Sequence, residues 1–297
     1  MSTKSNILVT GCSSGFGLLI TRTLLREGHT VFATMRAPGG RNAAIAEELT
    51  AFGGESPGTV HVLEMDVTEE NSVQHAVTAA HNIAGGLDVV VNNAGIGCGG
   101  FAEAFTVEQY QQIFDINVFG VQRVNRAVLP SMRAAGKGLL LFVSSVMGRV
   151  VIPFGGPYTA TKYALEGLVE SYRYELAGTG VDVATVEPGG FLTGFADRLM
   201  TPGDPERQAS YGPLAELPEK MWGGFIEQLG SGGAPDPQEV AAAVSELIGT
   251  PAGQRPLRTV VDPMMGGEGP RALNRASDEI QAHLLGELGM AAFRSVR

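Results

Sequence analysis

The chain has 297 residues, 44% of them hydrophobic, which is enough for one sizeable core and argues against disorder. Its formal net charge of −10 at pH 7 argues against nonspecific nucleic-acid binding, which needs Lys and Arg to meet phosphates, but leaves room for a local basic pocket. The two cysteines, Cys12 and Cys98, have neither metal-ligand nor C-x-x-C spacing, so a reduced, cytoplasmic protein is expected.

In chain order, an apolar run over 7–10 reads as a first strand. It leads into "VTGCSSGFGLL", Val9 to Leu19, and a helix over 18–27 that Gly28 terminates. A strand over 30–34, a helix over 42–52, a strand over 60–65 and a helix over 70–83 follow. Next come a strand over 88–92 and one long helix over 107–133, opened by a capping-box pattern at Thr106 and Gln109. Strands over 139–144 and 181–187 flank a helix over 158–177. Asp236 and Pro237 cap a helix over 238–249, a last strand covers 258–261, and a terminal helix covers 272–288. Near-continuous apolar strands alternating with helices predict an α/β doubly wound parallel sheet in a single domain spanning 1–297.

Two stretches stand apart. Residues 191–237 are rich in Gly, Pro, Met and aromatics without a clear period, and read as a long functional loop, a lid over a substrate. Packing that merely completes the core is the competing reading. Residues 264–297 form a C-terminal extension. The start makes a poor signal-peptide core, and the longest apolar region, 139–154, is broken by serines, Gly148, Arg149 and Pro153, so no membrane span is expected.

The glycines between Val9 and Leu19 ask for a reason. They fall where a strand ends and a helix begins, and free N–H groups there favour an anion. Without Cβ atoms the backbone can approach a pyrophosphate closely. The spacing is Gly11-x-x-x-Gly15-x-Gly17, after Thr10. Downstream lie Asn92-Asn93-Ala94-Gly95, Asn117, Ser145, Tyr158-x-x-x-Lys162, and Pro188-Gly189 with Thr193. In that order these motifs resemble the short-chain dehydrogenase/reductase family over roughly residues 6–193. "TGCSSGFG" and "VFATMR" resemble most the branch that includes hydroxysteroid and retinol dehydrogenases.

Tyr158 and Lys162 are four apart and share a helix face. Proton transfer near neutral pH asks the phenol pKa to fall by roughly three units, or about 4 kcal/mol. An ammonium about 5 Å away, at an effective dielectric of about 20, contributes on the order of 3 kcal/mol. Side chains alternate along a strand, so only one of Ser144 and Ser145 can face the site. The family's spacing selects Ser145, to hydrogen-bond the substrate oxygen. The resemblance gives Asn117 the role of holding a water that links the active-site lysine to solvent. It implies a catalytic set of Asn117, Ser145, Tyr158 and Lys162. The implied reaction is hydride transfer between a nicotinamide and a carbonyl or alcohol, with Tyr158 moving the proton and no metal needed.

The resemblance also implies cofactor contacts. They are Gly11, Ser13, Ser14, Gly15, Phe16 and Gly17 in the glycine loop, then Asp66 and Val67 against adenine. Asn93, Ala94, Gly95, Tyr158, Lys162, Pro188, Gly189 and Thr193 complete them. Asp66 could equally cap the helix after Thr68. The second strand ends in Arg36 without an acid, as suits a 2′-phosphate, so NADP(H) is expected over NAD(H). Ser14 stands where many NADPH-preferring relatives carry a second basic residue. The expected substrate is a small-molecule carbonyl or alcohol, an apolar ketone or alcohol of steroid, retinoid or lipid type; the alternatives are a reductase of small keto-esters or aldehydes, and a catalytically silent dinucleotide-sensing regulator. Pairing through the helices over 107–133 and 158–177 would give a homodimer or homotetramer.

Overall fold

The computed structural model describes residues 4–195 and 198–294. Residues 1–3, 196–197 and 295–297 lie outside the described residues; the middle pair falls in the expected lid and the last three in the extension. The seven apolar runs become β1 (Asn6–Val9), β2 (Thr30–Met35), β3 (Thr59–Glu64), β4 (Val89–Asn92), β5 (Gly138–Val143), β6 (Val181–Pro188) and β7 (Arg258–Val261). All neighbours pair in parallel, in the order β3-β2-β1-β4-β5-β6-β7. The order reverses between β1 and β4, and a crevice opens there at the carboxyl ends of the strands.

The strands are apolar at successive positions because helices cover both faces. Ile7 and Val9 point to a layer built by Ile20, Leu24 and Leu25 of α1 (Gly15–Arg26) and Val240, Val244 and Leu247 of α9 (Gln238–Gly249). Leu8, between them, points to the opposite layer. That layer is built by α3 (Glu70–Ala84), α5 (Gly120–Ala135) and α6 (Gly156–Glu175), through residues such as Val77, Val128 and Val169. The remaining flanking helix, α2 (Ala43–Gly54), packs against β3.

Three expectations are corrected. The long helix over 107–133 is two helices, α4 (Val107–Phe114) and α5, joined by a π-helical turn at Asp115–Phe119. The apolar period continues through the turn, so the pattern could not reveal it. The capping box does form: Thr106 Oγ1 accepts from Gln109 N at 3.3 Å, and Gln109 Oε1 accepts from Thr106 N at 3.1 Å. Residues 191–237 are not irregular throughout. They hold α7 (Pro205–Ala209), α8 (Leu217–Gln228) and a π-helical turn, Leu229–Gly233. The prolines that obscured the period sit in first turns, where their missing N–H costs nothing. The terminal helix, α10 (Glu268–Glu287), likewise starts before 272 because Pro270 lies in its first turn.

A buried ionic cluster ties α10 to the sheet. Arg258 on β7 lies 2.8 Å from Glu166, 3.3 Å from Glu170, 3.5 Å from Glu187 and 3.7 Å from Asp278. Asn274 of α10 donates to Glu187 Oε2 at 2.7 Å. Burial, reinforced by Glu166, pushes the Glu187 carboxyl up from 4.5 to about 7. A raised acid pKa favours folding at low pH, and that contribution is lost as pH rises through about 7. Glu187→Gln, a neutral isostere that keeps an acceptor for Asn274, is therefore expected to gain Tm over the wild type as pH rises from about 5 to about 8. Thermal melts of both proteins across that range check it; a Tm difference independent of pH would refute it.

Candidate active site

The glycine loop is shaped by close approach. Gly11 and Gly15 have φ of +73° and +55°, where a side chain is strained. A Cβ on Gly17 would lie 2.3 Å from the Gly11 carbonyl oxygen and 2.5 Å from Asn93 Nδ2. Asn93 Nδ2 donates to the Thr10 and Gly11 carbonyls at 2.8 and 3.2 Å, and Thr10 Oγ1 accepts from the Asn93 and Ala94 amides. The motif after β4 thus staples the loop after β1. Gly17 packs behind the loop, whereas Gly11, Ser13, Ser14, Gly15 and Phe16 face a cleft of about 450 Å³.

The same cleft is lined by Asn93, Ala94, Gly95, Asp66, Val67, Pro188, Gly189 and Thr193, and by Ser145, Tyr158 and Lys162. Residues spread over most of the chain therefore converge at the switch point. Asp66 also acts as a cap, since its Oδ1 accepts from Thr68 N at 3.0 Å and Thr68 Oγ1 at 2.8 Å. Thr193 Cβ lies 3.8 Å from where a Gly15 Cβ would be, so the segment after β6 crosses the glycine loop closely.

Ser145 leaves β5 facing Tyr158, while Ser144 is buried on the other side with no partner for its hydroxyl among the described residues. Ser145 Oγ accepts from Met147 N at 3.1 Å and donates to the Pro188 carbonyl at 3.5 Å. Lys162 is buried; its Nζ donates to the Val143 carbonyl at 3.0 Å and lies 5.5 Å from the Tyr158 ring centroid. Burial lowers this ammonium from 10.5 to about 8, against the opposing pull of Glu166.

The phenol departs from expectation. Burial pushes Tyr158 up from 10.0 to about 12, and the hydrogen bond from Ser145 offsets only part of that. Lys162 does not reverse it: its ammonium sits over the ring face, 5.5 Å from the centroid, and donates to the Val143 carbonyl rather than to the phenol oxygen. Tyr158 in this arrangement is a protonated phenol across the neutral range, a weaker acid than a free phenol but the form that holds a proton to give.

Asn117 sits in the π-helical turn, not in a regular helix, and does not line the cleft. Its Oδ1 accepts from Ile96 N and its Nδ2 donates to the Ile96 carbonyl, both at 2.9 Å, with a further bond to Thr161 Oγ1 at 3.0 Å. It fixes the strip after Gly95 against α6, one residue before Lys162. The side chain makes no bond to Lys162 itself among the described residues.

At the far end, Arg36 follows β2 and lines the cleft, as expected from its place. Arg41 and Asn42 join it, and Asn42 Nδ2 anchors the Arg36 carbonyl at 2.6 Å. Arg41 is not marked by any motif; its signal in the sequence is a second arginine five residues after Arg36, behind Gly39 and Gly40. Ile96, Ile116 and Arg198 also line the cleft, without a motif to mark them.

Phe195 lines the cleft beside Tyr158. The Phe195 ring is 5.8 Å from the Tyr158 ring, and a Cβ on Gly97 would lie 2.6 Å from Phe195. Trp222 of α8 donates to the Phe154 carbonyl at 3.0 Å and packs on Phe225 at 6.1 Å. The segment is pinned at Met200, which pairs with the strip Gly97–Gly99, and at Thr201, whose carbonyl accepts from Gln109 at 2.8 Å.

The cleft fits a dinucleotide on its own terms: a loop with glycine at 11, 15 and 17, a free helix N-terminus, and arginines at the end away from Tyr158. A parallel sheet with its cleft at the switch point defines a Rossmann-like nucleotide-binding class. The short chain dehydrogenase model matches residues 5–202, and the chain belongs to that family of nicotinamide-dinucleotide oxidoreductases. It is 39% identical over 191 residues to a 3-ketodihydrosphingosine reductase of Bacteroides thetaiotaomicron, a match covering 64% of this chain and 65% of the relative, just under two thirds of that protein. It is 34% identical over 255 residues to retinol dehydrogenase 8 of Bos taurus, covering 82% and 78%. A short-chain dehydrogenase structure from Streptomyces avermitilis superposes with a TM-score of 0.75 at 29% identity, covering 97% of this chain and 98% of that one.

Proposed function

We propose that the protein is an NADP(H)-dependent oxidoreductase acting on an apolar ketone or secondary alcohol of steroid, retinoid or lipid type. The observation that carries this reading is the convergence of Ser145, Tyr158 and Lys162 in one cleft whose far end is rimmed by Arg36 and Arg41. A bound nicotinamide would supply the hydride. Tyr158, held as a phenol, donates the proton to the carbonyl oxygen, and Ser145 bonds the same oxygen. Lys162 holds positive charge beside Tyr158, and Asn117 positions the strip that faces them.

Arg36 and Arg41, with no carboxylate partner among the described residues, suit a 2′-phosphate. Phe191 and Phe195 in the cleft lining support an apolar substrate, and so do the relatives named for a sphingoid ketone and for retinol. The two buried thiols fit a reducing, cytoplasmic setting, and no helix among the described residues is long and apolar enough to cross a membrane. The reading is tested by following NADPH absorbance with a panel of carbonyls. Faster turnover of small polar carbonyls than of every steroid-sized or long-chain ketone would defeat the apolar assignment.

The segment over 191–237 serves as a lid in this reading. Its apolar side chains shield the phenol from water, and its base at Thr193 meets the glycine loop. Limited proteolysis is expected to cut between Leu199 and Gly233 in the protein alone, and NADPH with an apolar ketone is expected to protect it. Equal cleavage with and without ligands would mark the segment as static packing.

Assembly follows from the helix faces. The last turn, Ala291–Arg294, packs on α6 and so covers part of one of the two expected pairing faces. A homodimer or homotetramer is still expected, with α4 and α5 as the more open surface. Light scattering at micromolar concentration checks this; a mass near 31.1 kDa would contradict it.

A further inference from the structure

Arg198 is held in an electrostatically unfavourable place. It belongs to the segment after β6, yet its Nη2 donates to Ser14 Oγ at 2.5 Å, while its Nε donates to the Gly194 carbonyl at 2.8 Å. Ser14 is the N-cap of α1, and its hydroxyl caps no backbone N–H of that helix. A guanidinium therefore sits beside a helix N-terminus, where the dipole is already positive and a cation is disfavoured. Among the described residues no carboxylate pairs with Arg198 to offset this. Arg198 lines the same cleft as Ser13, Gly15 and Phe16. Two sources of positive potential facing one bare loop are reconciled by an anion that both can bind.

We propose that Arg198 is a phosphate ligand for the dinucleotide, reaching across the cleft from the substrate-binding segment to the pyrophosphate. The pyrophosphate is assigned because Arg198 stands over the N-terminus of α1, whereas Arg36 and Arg41 stand at the end of β2; Ser14 is also where NADPH-preferring relatives carry a basic residue, so the NADH arm of the test below separates the two phosphates. This inference rests on the dinucleotide reading above. It gives Ser14 a distinct part: the hydroxyl parks the guanidinium next to the loop. It also links cofactor affinity to the segment that carries Phe195, three residues earlier in the chain.

The test is equilibrium binding, by isothermal titration calorimetry, of NADPH and of NADH to the wild type, Arg198→Gln, Arg198→Lys and Arg36→Asp. Both dinucleotides carry the pyrophosphate; only NADPH carries the 2′-phosphate. Arg198→Gln is expected to weaken both by a similar factor of about tenfold, and to flatten the salt dependence of binding. Arg198→Lys keeps the charge and is expected to recover most of the affinity, while Arg36→Asp weakens NADPH alone. Arg198 is exposed, so unchanged melting temperatures should accompany these effects. Arg198→Gln binding both dinucleotides within twofold of wild type would reduce Arg198 to a surface tether. Loss confined to NADPH would move it to the 2′-phosphate and overturn the pyrophosphate assignment. Wild type that binds neither dinucleotide would overturn the dinucleotide reading first, and this inference with it.

Discussion

Tyr158→Phe is expected to lower kcat for ketone reduction by about 10³-fold, within the range for removing a general acid, and to change NADPH affinity by less than about twofold. The ring stays, and with it the packing on Phe195 and the contact with Lys162. Only the hydroxyl is lost. Burial holds that hydroxyl as a phenol up to about 12, so it is charged with a proton throughout the neutral range. Ser145 remains as a hydrogen-bond donor, but its own proton is far less acidic and it is already bonded to Met147 and Pro188. The expected signature is a kcat effect with little change in binding, which marks an interaction made in the transition state. Steady-state kinetics with calorimetric NADPH binding check it; a variant within tenfold of wild type would remove Tyr158 from the chemistry.

Arg36→Asp is expected to erase or reverse a preference for NADPH over NADH, lowering kcat/KM for NADPH by about 10²-fold or more. A charge-assisted contact to the 2′-phosphate is lost, and a carboxylate is placed against it. The same carboxylate can accept from a ribose 2′-hydroxyl, so NADH is expected to be used as well as before, or better. Arg41 lines the same end and keeps part of the positive potential, which sets a limit on the loss. The Arg36 backbone is held by Asn42, so the change should stay local. Equal kcat/KM for the two cofactors in the wild type would contradict the assignment.

Most of the architecture was legible because both faces of the sheet are covered. Burial on both sides makes each strand a continuous apolar run, and helices between runs of that kind leave few topologies. The glycine loop was legible because close approach requires glycine at Gly11 and Gly17, and a positive φ favours it at Gly11 and Gly15. What stayed hidden depended on three-dimensional proximity. The π-helical turn around Asn117 keeps the apolar period of its flanks. The prolines of α7 and α8 read as breakers, though they start helices. Arg198 meets Ser14 across 184 residues of chain, and an arginine alone reads as a solvated surface charge. The Tyr158 phenol was expected to be lowered by Lys162; its rise reflects a burial that no spacing encodes.

Transfer of deuterium tests the central claim most directly. The wild-type protein would be incubated with NADPH deuterated at the transferring position of nicotinamide C4 and the best apolar ketone of the panel, and the product alcohol analysed by mass spectrometry. The account predicts one deuterium at the carbinol carbon, formed by the wild type and almost absent with Tyr158→Phe. Tight dinucleotide binding with no labelled alcohol from any ketone would contradict it, and would identify the cleft as a sensor of the dinucleotide.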